Sequence, residues 1–473
     1  MLSLKNPRRP RPGCWLAHRR PLALATVIAL SGCAAVSPDA GIADVNRLTQ
    51  AHTGQVLSPQ TLAPAELDAA LAAPLSADDA VALALKNSRS LQARLARLSV
   101  TAAEVAEAGR LPSPGFRFSR LTRGDEIELE RSWHVNLARL LTLPLVRQTE
   151  ARRLQAEQRQ AAADVLALAA DTRRAWVRAV AADEALSYRR QVMDAAETGA
   201  ELARRMQEAG NFNALARARE QSFATEAGLA LARAQAQRLA ARERLARLLG
   251  LSSEQTAALQ LPQRLPDLPA AAREPGDVEA LALAQRLDVQ AARLTLEHAA
   301  RQADLARTTR WVSMLELGTV RNSANEAPTQ RGWEIALEVP LFGPGPQPRA
   351  QALAAVAAHD AADTALRARS EVREAYGLYR SAWAIARQHR DEALPLARRI
   401  ADEQLLRYNG MLIGVFELLA DARAQIGAVS AAQEALRDFW LAQADLDQAL
   451  LGPTAPDLPQ AGTAPVAPGA AAH

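Results

Sequence analysis

From Glu126 to Leu137 apolar and polar residues alternate. Ile127, Leu129, Trp133, Val135 and Leu137 fall on one side, with Arg131 the exception, and Glu126, Glu128, Glu130, Ser132, His134 and Asn136 fall on the other. A period of two is that of a strand with two unlike faces. Trp333, Ile335, Leu337 and Val339 repeat the apolar side against Glu334, Ala336 and Glu338. Elsewhere leucines recur three and four residues apart in stretches of Ala, Arg, Gln and Glu without turn residues, which predicts long helices. Ser76 caps the first, which runs to about Arg110 before Pro112 and Pro114 break it, and a β segment follows over about 115–143. A helix of about sixty residues, Val146 to Ala209, reaches the break at Gly210-Asn211, and a return helix covers about Leu215 to Leu249.

This order of elements occurs twice. Asp79-Ala80-Val81-Ala82-Leu83-Ala84-Leu85 recurs as Asp277-Val278-Glu279-Ala280-Leu281-Ala282-Leu283, and Trp133-His134-Val135-Asn136-Leu137 as Trp333-Glu334-Ile335-Ala336-Leu337. Each strand copy is followed by Pro-Leu, and each half closes on Leu-Gly, at Leu249-Gly250 and Leu451-Gly452. The domains are therefore two repeats, 75–250 and 277–452. In the second, a helix spans Val278 to Arg310 and a hairpin about 312–340. A long helix then runs from about Arg349 to Tyr408, kinked by Pro395, and Asn409-Gly410 breaks it before a return helix to Leu450. At 1.5 Å per residue a sixty-residue helix is roughly 90 Å long, too long for a compact globular domain. Abundant alanine and scarce aromatics suit helices packed closely along their length as coiled-coil hairpins.

A strand of nine to eleven residues with one apolar and one acidic face fits a wall between lipid and a watery lumen. It also fits a half-buried strand on a soluble core. The strand count separates the two. Two hairpins, around Gly124 and around Asn322 to Asn325, give four strands; a membrane barrel needs about eight or more and open edges are not tolerated in lipid. A barrel built from this chain must be shared between copies.

The N-terminus adds an address. An arginine-rich start, an apolar run from Pro21 to Leu30 too short to span a bilayer, and Leu30-Ser31-Gly32-Cys33 read as a lipoprotein signal, with residues 1–32 removed and Cys33 lipidated. Of the 56 basic residues, Lys5, Arg8, Arg9, Arg11, Arg19 and Arg20 leave with the signal, so 50 remain against 52 acidic ones. Nearly all the rest are arginines among glutamates at helical spacing, a solvated-face pattern that argues against nucleic acid as a partner. Loss of Cys14 and lipidation of Cys33 leave no thiols for a disulfide. The histidines show no ligand spacing, and there is no phosphate loop and no nucleophile–base set; the expectation is no metal, no cofactor and no catalytic residue. Residues 33–74, a lipidated linker, and 453–473, a tail, are Pro/Ala/Gly-rich and are expected to lack folds of their own.

Over about 75–452 the chain resembles the TolC-type outer-membrane efflux factors. The residues that carry the resemblance are Leu75-Ser76-Ala77-Asp78-Asp79-Ala80 with its copy at 277, Val339-Pro340-Leu341-Phe342, Arg407-Tyr408-Asn409-Gly410 through Glu417-Leu418-Leu419, and the two Leu-Gly endings. The first half departs from the family's Pro-Leu-Phe-Gly turn, reading Pro144-Leu145-Val146-Arg147. The resemblance implies a mainly α fold with a small β part: a homotrimeric α-barrel of long coiled-coil helices topped by a shared 12-stranded transmembrane β-barrel. Partners would be a periplasmic membrane-fusion adaptor, an inner-membrane pump and outer-membrane lipid. Gly210, Asn211 and Leu215 in the first turn, about 210–215, and Gly410, Met411 and Leu412 in the second, about 409–415, would dock the adaptor. Glu417 stands where the family often has an aspartate of its pore ring, and Asp421 lies one past the next such position, Ala420. A rival reading from the residues alone is a periplasmic lipid-anchored coiled-coil scaffold without a channel.

Overall fold

The computed structural model describes residues 39–58, 62–274, 276–312, 314–325, 327–339 and 345–454. The signal segment 1–32, Cys33, Pro340-Leu341-Phe342 and the tail from 455 onward lie outside the described residues. Two compact units divide the chain. One holds Leu98–Leu154 and Arg301–Ala350 and contains the strands; the other is helical.

The segment before the first repeat carries short helices. It forms α1 (Ile42–Thr53) and α2 (Pro64–Leu71). Val45, Leu57, Leu67 and Leu71 are buried, and the Asn46 side chain both accepts from the Leu57 N–H and donates to its carbonyl. Burial of a few leucines overrides a loop-like composition.

The first repeat comprises α3 (Ala77–Asn87), α4 (Arg89–Ala108), β1 (Gly115–Arg123), β2 (Glu126–Asn136), α5 (Leu137–Glu208) and α6 (Ala214–Leu249). After α7 (Ser253–Ala258) come α8 (Val278–Gln285), α9 (Leu287–Thr308), β3 (Met314–Ala324), β4 (Gln330–Glu338), α10 (Gln347–Gln388), α11 (Leu394–Asn409) and α12 (Val415–Leu451). The opening helix of each repeat is thus two helices, broken at Ser88 and Arg286, where the backbone is extended (ψ 119° and 125°). Neither position carries Pro or Gly, so the sequence hides both breaks. They are fixed by distant partners: Asn87 Nδ2 donates to the Leu249 and Gly250 carbonyls at 2.8 and 3.1 Å, and Arg286 Nη1 to the Ala449 carbonyl at 3.2 Å. Both satisfy carbonyls near the end of a return helix that lacks further intrahelical donors. Just before Pro395 the helix widens into a π-helical turn at His389–Ala393, in which the Leu394 N–H reaches back to the His389 carbonyl. Widening the turn relieves the clash of a proline ring with the preceding turn.

Among the described residues, two large apolar clusters lie in the helical unit, besides a smaller one around Val192, Ala196 and Ala227. Leu75, Leu83, Trp176, Val180, Leu245, Leu249, Leu259 and Leu265 belong to one. Val278, Val372, Tyr379, Phe439, Leu446 and Leu450 belong to the other, and Leu436 and Trp440 pack against both. The linker between repeats is strapped down by aromatic donors: Trp440 Nε1 to the Pro266 carbonyl at 3.0 Å and Trp383 Nε1 to the Pro269 carbonyl at 3.2 Å. Among the described residues, no helix is long and apolar enough to cross a membrane.

In the other unit the four strands form one antiparallel sheet in chain order, β1-β2-β3-β4, so the two hairpins pair through β2 and β3. Gly124, with φ of 61°, starts the two-residue turn between Arg123 and its partner Glu126, where a primed turn calls for a residue at positive φ. The second turn lies beyond the expected place: Asn322 still pairs with Gln330 and Ala324 with Glu128. Asn325 holds the neighbouring hairpin, accepting from the Ile127 N–H at 2.9 Å and donating to the Asp125 carbonyl at 2.8 Å. Leu137 is helical, not the last strand residue, because Asn136 Oδ1 accepts from the Arg139 N–H at 2.8 Å and starts α5 there. Pro144 lies inside α5 rather than ahead of it.

Candidate functional site

The register sorts the sheet residues onto two faces. Ile127, Leu129, Trp133 and Val135 share one face with Phe116 and Phe118 of β1, Leu315 and Leu317 of β3, and Trp333, Ile335 and Leu337 of β4. These side chains are largely uncovered in the single chain: Trp133 is 57% exposed, Trp333 73% and Ile335 53%. Phe116 and Trp133, paired across β1 and β2, stack with ring centroids 5.0 Å apart. Leu140, Leu141 and Leu145, in the first turns of α5, are exposed as well. An apolar surface of this extent on a protein needs a cover of lipid or protein.

The opposite face carries every described glutamate of the sheet: Glu126, Glu128, Glu130, Glu316, Glu334 and Glu338. Leu121, Val320 and Met314 are its large apolar members. It is the more enclosed side. Ser132 is buried, and Glu128, Glu130, His134 and Glu316 are half-buried. Glycine makes this possible: a Cβ at Gly115 would lie 2.0 Å from His134 Nε2, and one at Gly318 would lie 2.8 Å from the Trp133 carbonyl oxygen. Glycine on the polar side thus gives room for a close approach that a side chain would block.

In the helical unit, the two interhelical turns differ in a way the sequence does not announce. At the first, Gly210 takes φ of 78°, its N–H bonding the Gln207 carbonyl at 2.9 Å and that of Asn211 the Met206 carbonyl at 2.9 Å. This is the Schellman end, with glycine where the left-handed residue belongs. At the second, the same pair of bonds is made by Met411 to Tyr408 and Leu412 to Arg407, both 2.9 Å, and Met411 is the left-handed residue, with φ of 58°. Gly410, the expected break, has an ordinary φ of −81°. The helix runs one residue further than the glycine suggests and ends on a side chain. Asn213 Oδ1 caps α6 through the Ala216 N–H at 2.8 Å, while α12 starts on Gly414 without a side-chain cap. The turns display apolar residues: Leu215 is exposed, Met411 is 93% exposed and Leu412 78%.

Glu417 is exposed and Asp421 half-buried, one turn apart at the start of α12. Neither makes an ion pair or hydrogen bond to a described side chain. On the first hairpin, by contrast, Glu201 is paired. The Glu201 carboxylate, accepting from Arg204 and also from Arg205, is held down to about 2. Sequence reasoning missed Glu220 and Arg423, which join α6 to α12 at 2.6 Å with Glu220 buried and the guanidinium 4.5 Å above the Phe223 ring. Nothing in the helical spacing sets that glutamate apart from its solvated neighbours. Among the described residues no group of His, Cys, Asp or Glu could hold a metal ion.

No protein-family model and no curated protein matches the chain. Solved structures do. The Campylobacter jejuni CmeC outer membrane channel is 15% identical, with 86% of this chain and 91% of that one covered and a TM-score of 0.69. The outer membrane protein VceC of Vibrio cholerae is 16% identical, with 82% and 96% covered and a TM-score of 0.67. The Neisseria gonorrhoeae MtrE outer membrane channel, in its open state, is 20% identical, with 79% and 88% covered and a TM-score of 0.59. The chain has the fold of these outer-membrane channels, the TolC-type fold that its two repeats resemble in sequence.

Proposed function

We propose that this protein is the outer-membrane channel component of a tripartite efflux or export system, a conduit and not an enzyme. The observation that carries the reading is the sheet. Its order leaves β1 and β4 as unpaired edges, one of its faces is apolar and uncovered, and the other is lined with glutamates. Neither edge tolerates lipid unpaired, and four strands cannot close on themselves. Three copies supply twelve strands, enough for a closed barrel with the acidic face inward and water inside. The helical hairpins lie in the periplasm, where the exposed residues at Leu215, Met411 and Leu412 meet a membrane-fusion adaptor and, through it, an inner-membrane pump. Glu417 and Asp421, repeated in each copy, form the acidic constriction at the tip. Cys33 carries the lipid anchor, and no cofactor is required.

The test is mass measurement of the purified protein together with ion conductance in a planar bilayer. Trimeric particles with discrete conductance steps are expected. A monodisperse monomer without conductance would leave the lipid-anchored scaffold as the reading instead.

A further inference from the structure

The apolar face of the sheet has one charged row. Arg131 pairs with Arg321 across β2 and β3, and Arg321 with Arg331 across β3 and β4, so three guanidinium groups stand side by side on the outward face. Arg120, partner of Leu129, stands one level nearer the hairpin turns on the same face. Adjacent strands are about 4.8 Å apart, so the row is roughly 10 Å wide. Like charges directly opposite one another oppose pairing. All three side chains are exposed, and none has an ion pair or hydrogen bond among the described residues. Every described glutamate of the sheet lies on the other face, so the row has no counter-charge of its own.

Its height on the sheet is informative. Two residues further from the hairpin turns lies an aromatic level, Phe116, Trp133 and Trp333 with Thr319; then come Val135, Leu317 and Ile335, then Leu315 and Leu337. A tryptophan level bordering an apolar band marks the bilayer interface, and cations just beyond it lie among headgroups. Arginine presents a planar fork that bonds phosphate oxygens two at a time, which suits a fixed phosphorylated headgroup. Resting on the channel reading above, with the helical hairpins in the periplasm and the strand turns therefore on the outer side, we infer that Arg131, Arg321 and Arg331, with Arg120 beside them, form a belt that binds the phosphates of an anionic glycolipid in the outer leaflet.

The experiment titrates the purified, intact protein in detergent with bis-phosphorylated lipid A, with the same lipid stripped of phosphate, and with phosphatidylethanolamine, counting retained lipid by native mass spectrometry. The parent should retain the bis-phosphorylated lipid preferentially. Arg131→Gln/Arg321→Gln/Arg331→Gln should weaken that binding by about tenfold or more, given the value of a cation near an anionic lipid surface. The triple lysine variant should lie between, and Arg117→Gln, on the opposite face, should match the parent. Excess inorganic phosphate should not displace the lipid. Equal retention of phosphorylated and stripped lipid, parent-like binding by the triple glutamine variant, or full displacement by free phosphate would each overturn the belt. If the triple variant fails to assemble, Arg321→Gln alone and the parent's own headgroup preference decide. A parent that conducts ions but ignores the phosphates sinks only this inference, whereas a parent that neither assembles nor conducts sinks the channel reading and this one with it.

Discussion

Met411 holds a φ of 58° with no glycine to ease it, at the most exposed point of the second turn. The left-handed conformation costs a side-chain-bearing residue about 1–2 kcal/mol, and glycine gives back part of that gain through its freer unfolded chain. Met411→Gly should therefore stabilise this turn by roughly 0.5–1 kcal/mol, Gly210→Ala should destabilise the first by about 1 kcal/mol, and Gly410→Ala should be neutral or better. Hydrogen exchange of the Leu412 and Asn211 amides, which close the two turns, reads all three. The left-handed methionine was hidden from the sequence because Gly410 sits beside it and looks like the natural helix end. The acidic pair was legible as residues, yet its lack of salt-bridge partners among the described residues came only with the coordinates. Like charges gathered around a narrow axis draw counter-cations. Glu417→Gln, Asp421→Asn and the double variant should each shift the reversal potential under a salt gradient toward lower cation preference, the double variant most. Parent-like selectivity in all three would remove both carboxylates from the constriction.

At the level of elements, the two repeats solve one problem with different chemistry. Where an opening helix breaks, Asn87 reaches the end of one return helix and Arg286 the end of the other. Arg286 is almost fully buried, with Asp288 accepting at 2.8 and 3.0 Å and Glu371 at 2.8 Å. Burial alone would lower its pKa; the bonds and charges of Asp288 and Glu371 more than offset that and hold it above the ordinary value. Arg286→Met leaves two carboxylates without their cation and should cost about 3–5 kcal/mol by denaturant midpoint. Arg286→Met with Asp288→Asn and Glu371→Gln should recover much of the loss. A single-variant cost below about 1 kcal/mol would mean that the cluster is solvated rather than structural.

For the whole molecule, the proposed channel makes assembly depend on the apolar sheet face meeting lipid. An arginine near the middle of such a face costs about 2–4 kcal/mol. Val135→Arg and Ile335→Arg lie in the apolar rows, two residues from the aromatic level, and should reduce the yield of folded trimer on gels run without heating. Normal assembly of both would show that this face never meets lipid. The anchor is a separate matter. Cys33→Ser should abolish incorporation of labelled fatty acid while the protein stays in the membrane fraction, held by the barrel; release into the soluble fraction would count against the barrel.

Sequence by itself determined the duplicated plan, the helical hairpins, the two-faced strands and the count of strands that makes a lone barrel impossible. These are periodic or repeated features, and a side-chain period of two or of 3.6 can be read along the chain without knowing what it touches. Tertiary structure decided what depends on partners far away. The breaks at Ser88 and Arg286 follow from carbonyls some 163 residues distant, and the order of segments around 42–71 follows from buried leucines. The arginine row exists only because the register sets Arg131, Arg321 and Arg331 side by side. Residues that read singly as exceptions to an apolar pattern become one charged surface once three strands align them.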